Sequence, residues 1–163
     1  MGRKVMKKNN FLRIASILLA AILLSSGIKS QENINACSLL KKSEVEAAIG
    51  NQVLESQKDV GKMGEVRYSH CTYKKNSGMI GLLLSVYTYN SKTEVKKHFE
   101  SSMKEIGHTT PVSGLGDAAY WWKSKTTFLV IKDKYMISII SGADEAGLKA
   151  AKSMAEKVVN RLP

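Results

Sequence analysis

Proline, cysteine and histidine are scarce in this chain: its 163 residues hold two prolines, two cysteines and three histidines. So few prolines exclude a collagen-like or proline-rich chain, and two cysteines cannot build a cysteine-dense scaffold. His70, His98 and His108 stand at no ligand spacing such as H-E-x-x-H, so neither a metal site nor a cofactor is expected. No apolar run reaches the roughly 20 residues that carry a helix across a bilayer. Ile14 to Leu24 comes nearest, at eleven residues. Acidic residues are missing from the first thirty positions, which carry six basic ones (Arg3, Lys4, Lys7, Lys8, Arg13, Lys29). With that segment set aside, nineteen basic groups face fourteen acidic ones, a net charge of +5 in place of +11. Much of the basicity therefore belongs to a leader, and no nucleic-acid partner is expected. The remaining composition, with 44% hydrophobic and 24% charged residues over the whole chain, is that of one globular domain.

Residues 1–13 are basic and polar, the apolar stretch follows, and the small residues Ser25, Ser26 and Gly27 close it. That order is the order of a secretory signal, with cleavage after Gly27 or near Ser30 and Gln31. Residues 1–30 are expected to be a signal peptide and 31–163 a single α/β binding domain, periplasmic or extracellular, with no stable membrane span after cleavage. In an oxidising compartment Cys37 and Cys71 are expected to pair as one disulfide. A bridge closing such a loop stabilises a fold by about 3 to 4 kcal/mol in the chain-entropy model. A reactive or metal-bound thiol is the alternative, but the chain has no C-x-x-C and no neighbouring histidine pair.

Periodicity and end signals then give an order of elements. Ser43-Glu44-Val45-Glu46 reads as a capping box opening a short helix that stops at Gly50. Val66 to Lys75 and Met79 to Tyr89, β-branched and aromatic runs on either side of Asn76-Ser77-Gly78, read as a hairpin. Ser91 with Glu94 opens a second helix, in which Val95, Phe99, Met103 and Ile106 recur before Gly107 ends it. After the Pro111 to Gly116 loop come strand candidates Ala118 to Lys123, Thr127 to Lys132 and Tyr135 to Ser141, the last two joined by Asp133-Lys134. Asp144 caps a third helix with Leu148, Ala151, Ala155, Val158 and Leu162 on one stripe. Along the strands, Leu82, Leu84 and Val86 alternate with Leu83 and Tyr87, and Phe128 and Val130 with Leu129 and Ile131, so both faces are apolar. The expected fold is α/β (α+β): a largely antiparallel sheet covered by helices on both faces, in the order αββ(β)-αβββ-α.

The layout from Cys37-Ser38-Leu39-Leu40 through Glu44 to Gly50, then Cys71-Thr72-Tyr73, and later Val112-Ser113-Gly114-Leu115-Gly116-Asp117-Ala118-Ala119-Tyr120 resembles a group of uncharacterised exported bacterial proteins that includes actinobacterial lipoproteins. The group has a cysteine-led first helix, a second cysteine in an early strand and a glycine-leucine-glycine-aspartate-alanine turn. Its architecture is similar to the PsbP-like fold, an α/β/α sandwich whose members are mostly accessory or partner-binding domains. The resemblance implies that role and brings no catalytic residues. The chain departs from the group in having no cysteine directly after the apolar run for lipid attachment.

Several short motifs compete with plainer readings. Gly114-Leu115-Gly116-Asp117-Ala118-Ala119 formally matches the G-x-G-x-x-A dinucleotide fingerprint, but a strand follows where that fingerprint needs a helix. Gly114, Gly116 and Asp117 are expected to form a structural turn, with Asp117 capping the loop. Ser101-Ser102-Met103-Lys104 matches S-x-x-K without the companion motifs of penicillin-recognising enzymes, and Lys104 stands four residues after Glu100 as a surface helix pair does. In Tyr120-Trp121-Trp122, adjacent strand residues face opposite ways. Either one tryptophan lines a groove or sheet edge, or each packs under a helix on its own face. Lys74 and Lys75 with Lys123 and Lys125 end strand segments read as neighbours, and are candidates for a shallow basic face contacting polyanions.

The sequence is read as that of a non-catalytic exported accessory or binding protein with an envelope or protein partner. Tyr120, Trp121, Trp122, Lys74, Lys75, Lys123 and Lys125 are its candidate binding residues. One alternative is a small cell-envelope-acting enzyme, which calls for a pocket with convergent polar groups around His70, Asp117 and Tyr120. The other is an inhibitor or immunity-type protein that caps another protein.

Overall fold

Two hairpins lie side by side at the centre of the sheet. The computed structural model describes residues 34–142 and 144–163; the expected signal peptide over 1–30 lies outside the described residues. In chain order the elements are α1 (Ala36–Leu39), α2 (Lys42–Ile49), β1 (Gln57–Met63), β2 (Val66–Lys74), β3 (Ile80–Thr88), α3 (Lys92–Ile106), β4 (Thr110–Val112), β5 (Ala118–Trp122), a 3₁₀ turn (Lys123–Lys125), β6 (Thr127–Lys132), β7 (Tyr135–Ile140) and α4 (Glu145–Arg161). The described strands form one sheet in the order β1-β2-β3-β7-β6-β5-β4, and every neighbouring pair is antiparallel. The protein is thus a mixed α+β fold with a seven-stranded antiparallel sheet and four α-helices among the described residues. None of those helices is long and apolar enough to cross a membrane.

The hairpin β2–β3 turns where Asn76-Ser77-Gly78 predicts, with Gly78 at φ 80° and its N–H donating to the Lys75 carbonyl. β6 and β7 are joined through Asp133, which takes a positive φ of 51°. Two strands fall where no strand is expected. β1 has the sequence Gln-Lys-Asp-Val-Gly-Lys-Met and is exposed over most of its length. Pairing to β2 makes it a strand, and the Tyr68 ring lies where a Cβ on Gly61 would stand, within 2.5 Å of the phenol oxygen. β4 holds Pro111 at the opposite edge, where proline breaks no inner ladder.

The helix ends follow their signals, with one shift. α2 begins at Lys42, so Lys41, not Ser43, is its N-cap. The Glu44 carboxylate answers by accepting from the Lys41 N–H at 2.9 Å. Glu46, the expected partner, accepts instead from the Val53 N–H at 3.0 Å. α3 opens as read, with the Ser91 hydroxyl accepting from the Glu94 N–H at 3.2 Å. α4 does the same through Asp144, whose carboxylate accepts from the Gly147 N–H at 2.8 Å.

Alternate strand positions feed two hydrophobic clusters. The larger gathers Cys71, Tyr73, Leu82, Leu84, Val86, Trp121, Phe128, Val130, Ile137 and Ile139 with Ala36, Leu39 and Val45 from α1 and α2 and with Ala151, Met154, Ala155 and Val158 from α4. α4 packs closely because small residues line its inner side. A Cβ at Gly147 would stand 2.0 Å from the Gly142 carbonyl oxygen, so only glycine fits there. The expected disulfide is present, joining Cys37 on α1 to Cys71 on β2, and it suits an oxidising compartment. A second clasp lies alongside. Arg161 donates through both terminal nitrogens to the Glu44 carboxylate at 2.7 Å each, and to the Leu39 carbonyl at 2.7 Å. The smaller cluster holds Tyr89, Val95, Phe99, Leu129 and Ile131, with Met103, Tyr120 and Met136 partly buried against it.

Candidate functional site

A concavity lies beside the smaller cluster, between α3 and strands β5 and β6. Four-residue spacing along α3 puts Lys92, Lys96, Glu100 and Lys104 on one rim. The neighbouring stripe of Val95, Phe99 and Met103 is turned to the sheet. Opposite, Ala118 pairs with Ile131 across β5 and β6, and Tyr120 with Leu129. The space between is a cavity of about 590 Å³ lined by Lys92, Lys96, Phe99, Glu100, Met103, Lys104, Asp117, Ala118, Tyr120 and Ile131. Phe99 and Tyr120 stand 5.2 Å apart between ring centroids and form much of the floor. Ala118 leaves the room: a larger side chain there would point into the space that Ile131 faces.

One end of the groove is closed electrostatically. Lys92 Nζ lies 2.9 Å from the Asp117 carboxylate, whose other oxygen accepts from the Asp133 N–H at 2.7 Å. The ammonium of Lys92, and then the Asp133 N–H, hold the Asp117 carboxyl below the usual aspartate range. Asp117 therefore caps the β6–β7 turn across the sheet, not its own loop as expected. Gly114 and Gly116 do make the turn, at φ 80° and 61°. A Cβ on Gly116 would lie 2.3 Å from the Ile131 carbonyl oxygen, which the Asp117 N–H approaches to 2.7 Å. The fingerprint glycines thus bring backbone against backbone, and a strand follows them.

Of the candidate binding residues read from the sequence, Tyr120 alone lines this groove. Trp121 is buried in the larger cluster, 6.4 Å from the Phe128 ring. Trp122 is half-buried at the end of β5, on the face opposite Trp121. Lys74 and Lys75 lie at the same end of the sheet as Lys123 and Lys125, but β3, β7 and β6 stand between β2 and β5. Strand spacing of about 4.8 Å then separates the two lysine pairs by about 19 Å, so they are not neighbours and do not make one compact basic face. The expected surface pair of Glu100 with Lys104 is replaced by Lys96 with Glu100, at 3.9 Å.

Asp117 and Tyr120 share the groove, whereas His70 does not line it. The convergent trio called for by an enzyme is therefore not assembled there. His70 lies on β2 between Tyr68, 4.7 Å away, and Tyr87, 5.7 Å away by ring centroids. Its Nε2 is buried without a hydrogen-bond partner. His98 on α3 is bonded to the Tyr89 hydroxyl at 3.0 Å, and burial raises that phenol to about 12. Among the described residues no group of three or more histidine, cysteine or acidic side chains is placed to hold a metal ion.

Sequence reading missed Lys92, Lys96, Lys104, Ala118 and Ile131 as groove residues. A signal was present: Lys92, Lys96 and Lys104, with Glu100 between the last two, at four-residue spacing directly beside the Val95-Phe99-Met103 stripe. It looked like an ordinary solvated helix face, because nothing local says that β5 and β6 stop short of covering that flank. No protein-family model and no curated protein matches the chain.

Proposed function

We propose that the protein is a non-catalytic accessory or binding module, exported to the periplasm or beyond, and that the groove between α3 and β5–β6 is where it binds. The observation that carries this reading is the make-up of the groove: an apolar floor of Phe99, Met103, Tyr120 and Ile131 under a rim of charged side chains, in a volume of about 590 Å³. Ligand sites generally have this size and this mixture. Export is supported by the basic, apolar and small-residue order of positions 1–30 and by the Cys37–Cys71 bridge. A PsbP-like sandwich, with α1, α2 and α4 over one face of the sheet and α3 over the other, is supported by the two clusters drawn from alternate strand positions.

The test uses the exported protein and an Ala118→Trp variant that fills the groove. Both are immobilised and exposed to envelope extract, and retained proteins and small molecules are identified by mass spectrometry. The expected result is at least one component held by the wild type and lost from the variant, with the variant's thermal midpoint little changed. Identical retention by the two proteins would overturn the groove as the binding site.

A further inference from the structure

We infer that the groove takes a single-chain anionic amphiphile, its hydrocarbon chain on the Phe99–Tyr120 floor and its anionic head at the α3 lysines. This rests on the reading of the groove as the binding site and deepens it to a ligand class.

Shape comes first. The lining runs along α3 from Lys92 to Lys104, which is about 18 Å of helix at 1.5 Å per residue. The cavity of about 590 Å³ follows that flank as a trough with an apolar floor. An extended peptide meets an obstacle there. β5 is hydrogen-bonded to β4 on one side and β6 on the other, so it offers no free ladder, and the peptide's amides would lie on an apolar floor without partners. A hydrocarbon chain carries no such groups and gains from the same burial.

Charge fixes the head. The rim has three lysines and one glutamate on the helix, and Asp117 alone on the sheet wall. Asp117 is engaged by Lys92 and the Asp133 N–H. Lys96 and Glu100 meet only at 3.9 Å with both side chains largely exposed, a geometry of little energy. Among the described residues no carboxylate lies within ion-pairing distance of Lys104. Lys96 and Lys104 are therefore available to an anionic head, and their methylene stems extend the apolar wall.

The probe is dodecanoate below its micelle concentration, titrated calorimetrically into the exported protein. The comparison ligands are dodecyltrimethylammonium, with the same chain and the opposite charge, butanoate, with the head and little chain, and an extended acidic peptide. Dodecanoate is expected to bind at least tenfold more tightly than each of the three. It should shift the amide and side-chain resonances of Phe99, Met103, Tyr120 and Ile131, and lose at least tenfold in affinity to Lys96→Gln/Lys104→Gln. Ala118→Leu should abolish binding, and the wild-type resonance shifts keep the test sound should that variant fold poorly. Equal binding of the cationic and anionic chains, lost with Ala118→Leu, would overturn the anionic ligand while leaving the groove intact as a site. A peptide that displaces dodecanoate from these resonances at lower concentration would overturn the amphiphile in favour of a protein partner. Resonance shifts confined to residues outside the groove would sink both the ligand class and the groove reading.

Discussion

The two hydrophobic clusters of this protein are finished in different ways. The larger is tied on three sides: helices α1, α2 and α4 pack on it, the Cys37–Cys71 bridge crosses it, and Arg161 clamps Glu44 and the Leu39 carbonyl at its rim. The smaller has five buried residues and draws on one helix, α3, whose outer flank leaves the Lys92–Lys104 groove unfilled. The ties are concentrated in the first region, and the open cavity lies beside the second. A domain whose scaffold is braced elsewhere can leave one flank under-packed without losing its fold, since opening free energies differ between regions of one protein.

The sharpest way to break that comparison is to truncate matching aromatics. Phe128→Ala, in the closed cluster at 0% exposure, is expected to cost about 3 to 5 kcal/mol in denaturant unfolding. Phe99→Ala removes a ring that already borders open space, so its loss should be clearly smaller while dodecanoate binding falls. Equal losses would mean that the two clusters are equally essential to the fold. Next in size is the bridge: replacing Cys37 and Cys71 together by alanine should lower unfolding free energy by about 3 to 4 kcal/mol, read from the urea midpoint at unchanged slope. Gly147→Ala is expected to cost about 1 to 3 kcal/mol by forcing α4 away from the Gly142 backbone, visible as a lower thermal midpoint.

Smaller again is the acid response. Hydrogen bonds from Arg161, and then from the Lys41 N–H, hold Glu44 at about 2 against an ordinary 4.5. The folded protein therefore binds fewer protons at this site than the unfolded chain does. The contribution is fully present above about pH 4.5 and is lost as pH falls towards 2. Asp117, lowered by Lys92, adds a slope of the same sign. Glu44→Gln should flatten the stability profile over this range, and an unchanged profile would remove the clamp from the account. The smallest stability effect is expected from Lys104→Gln, within about 0.5 kcal/mol because the side chain is on the surface, although the same change should weaken the anionic probe.

Much of this fold was legible locally. The Ser91 and Asp144 caps, the Asn76-Ser77-Gly78 turn and the Asp133-Lys134 link carry their own backbone instructions, and α3, α4 and both central hairpins stand where those signals put them. Ser43 misled because Glu44 and Glu46 both suit a capping role, and tertiary contacts with Arg161 and Val53 decide between them. β1 was illegible for a related reason: a polar edge strand with a central glycine has no pattern of its own and is stabilised by β2 and the Tyr68 ring. The candidate site was legible only in part. Tyr120 and the Gly114–Asp117 turn carry signals of their own, but the lysines that rim the groove resemble any solvated helix face.

Helix stripes, the α3 and α4 caps, the hairpin turns and the pairing of two cysteines were determined by the sequence alone, because each depends on residues close in the chain or admits a single partner. Placing β7 beside β3, setting three strands between the two lysine pairs and leaving the α3 flank open were decided only in the tertiary structure. Those outcomes depend on which apolar faces meet across long loops, and burial energy is indifferent to sequence order.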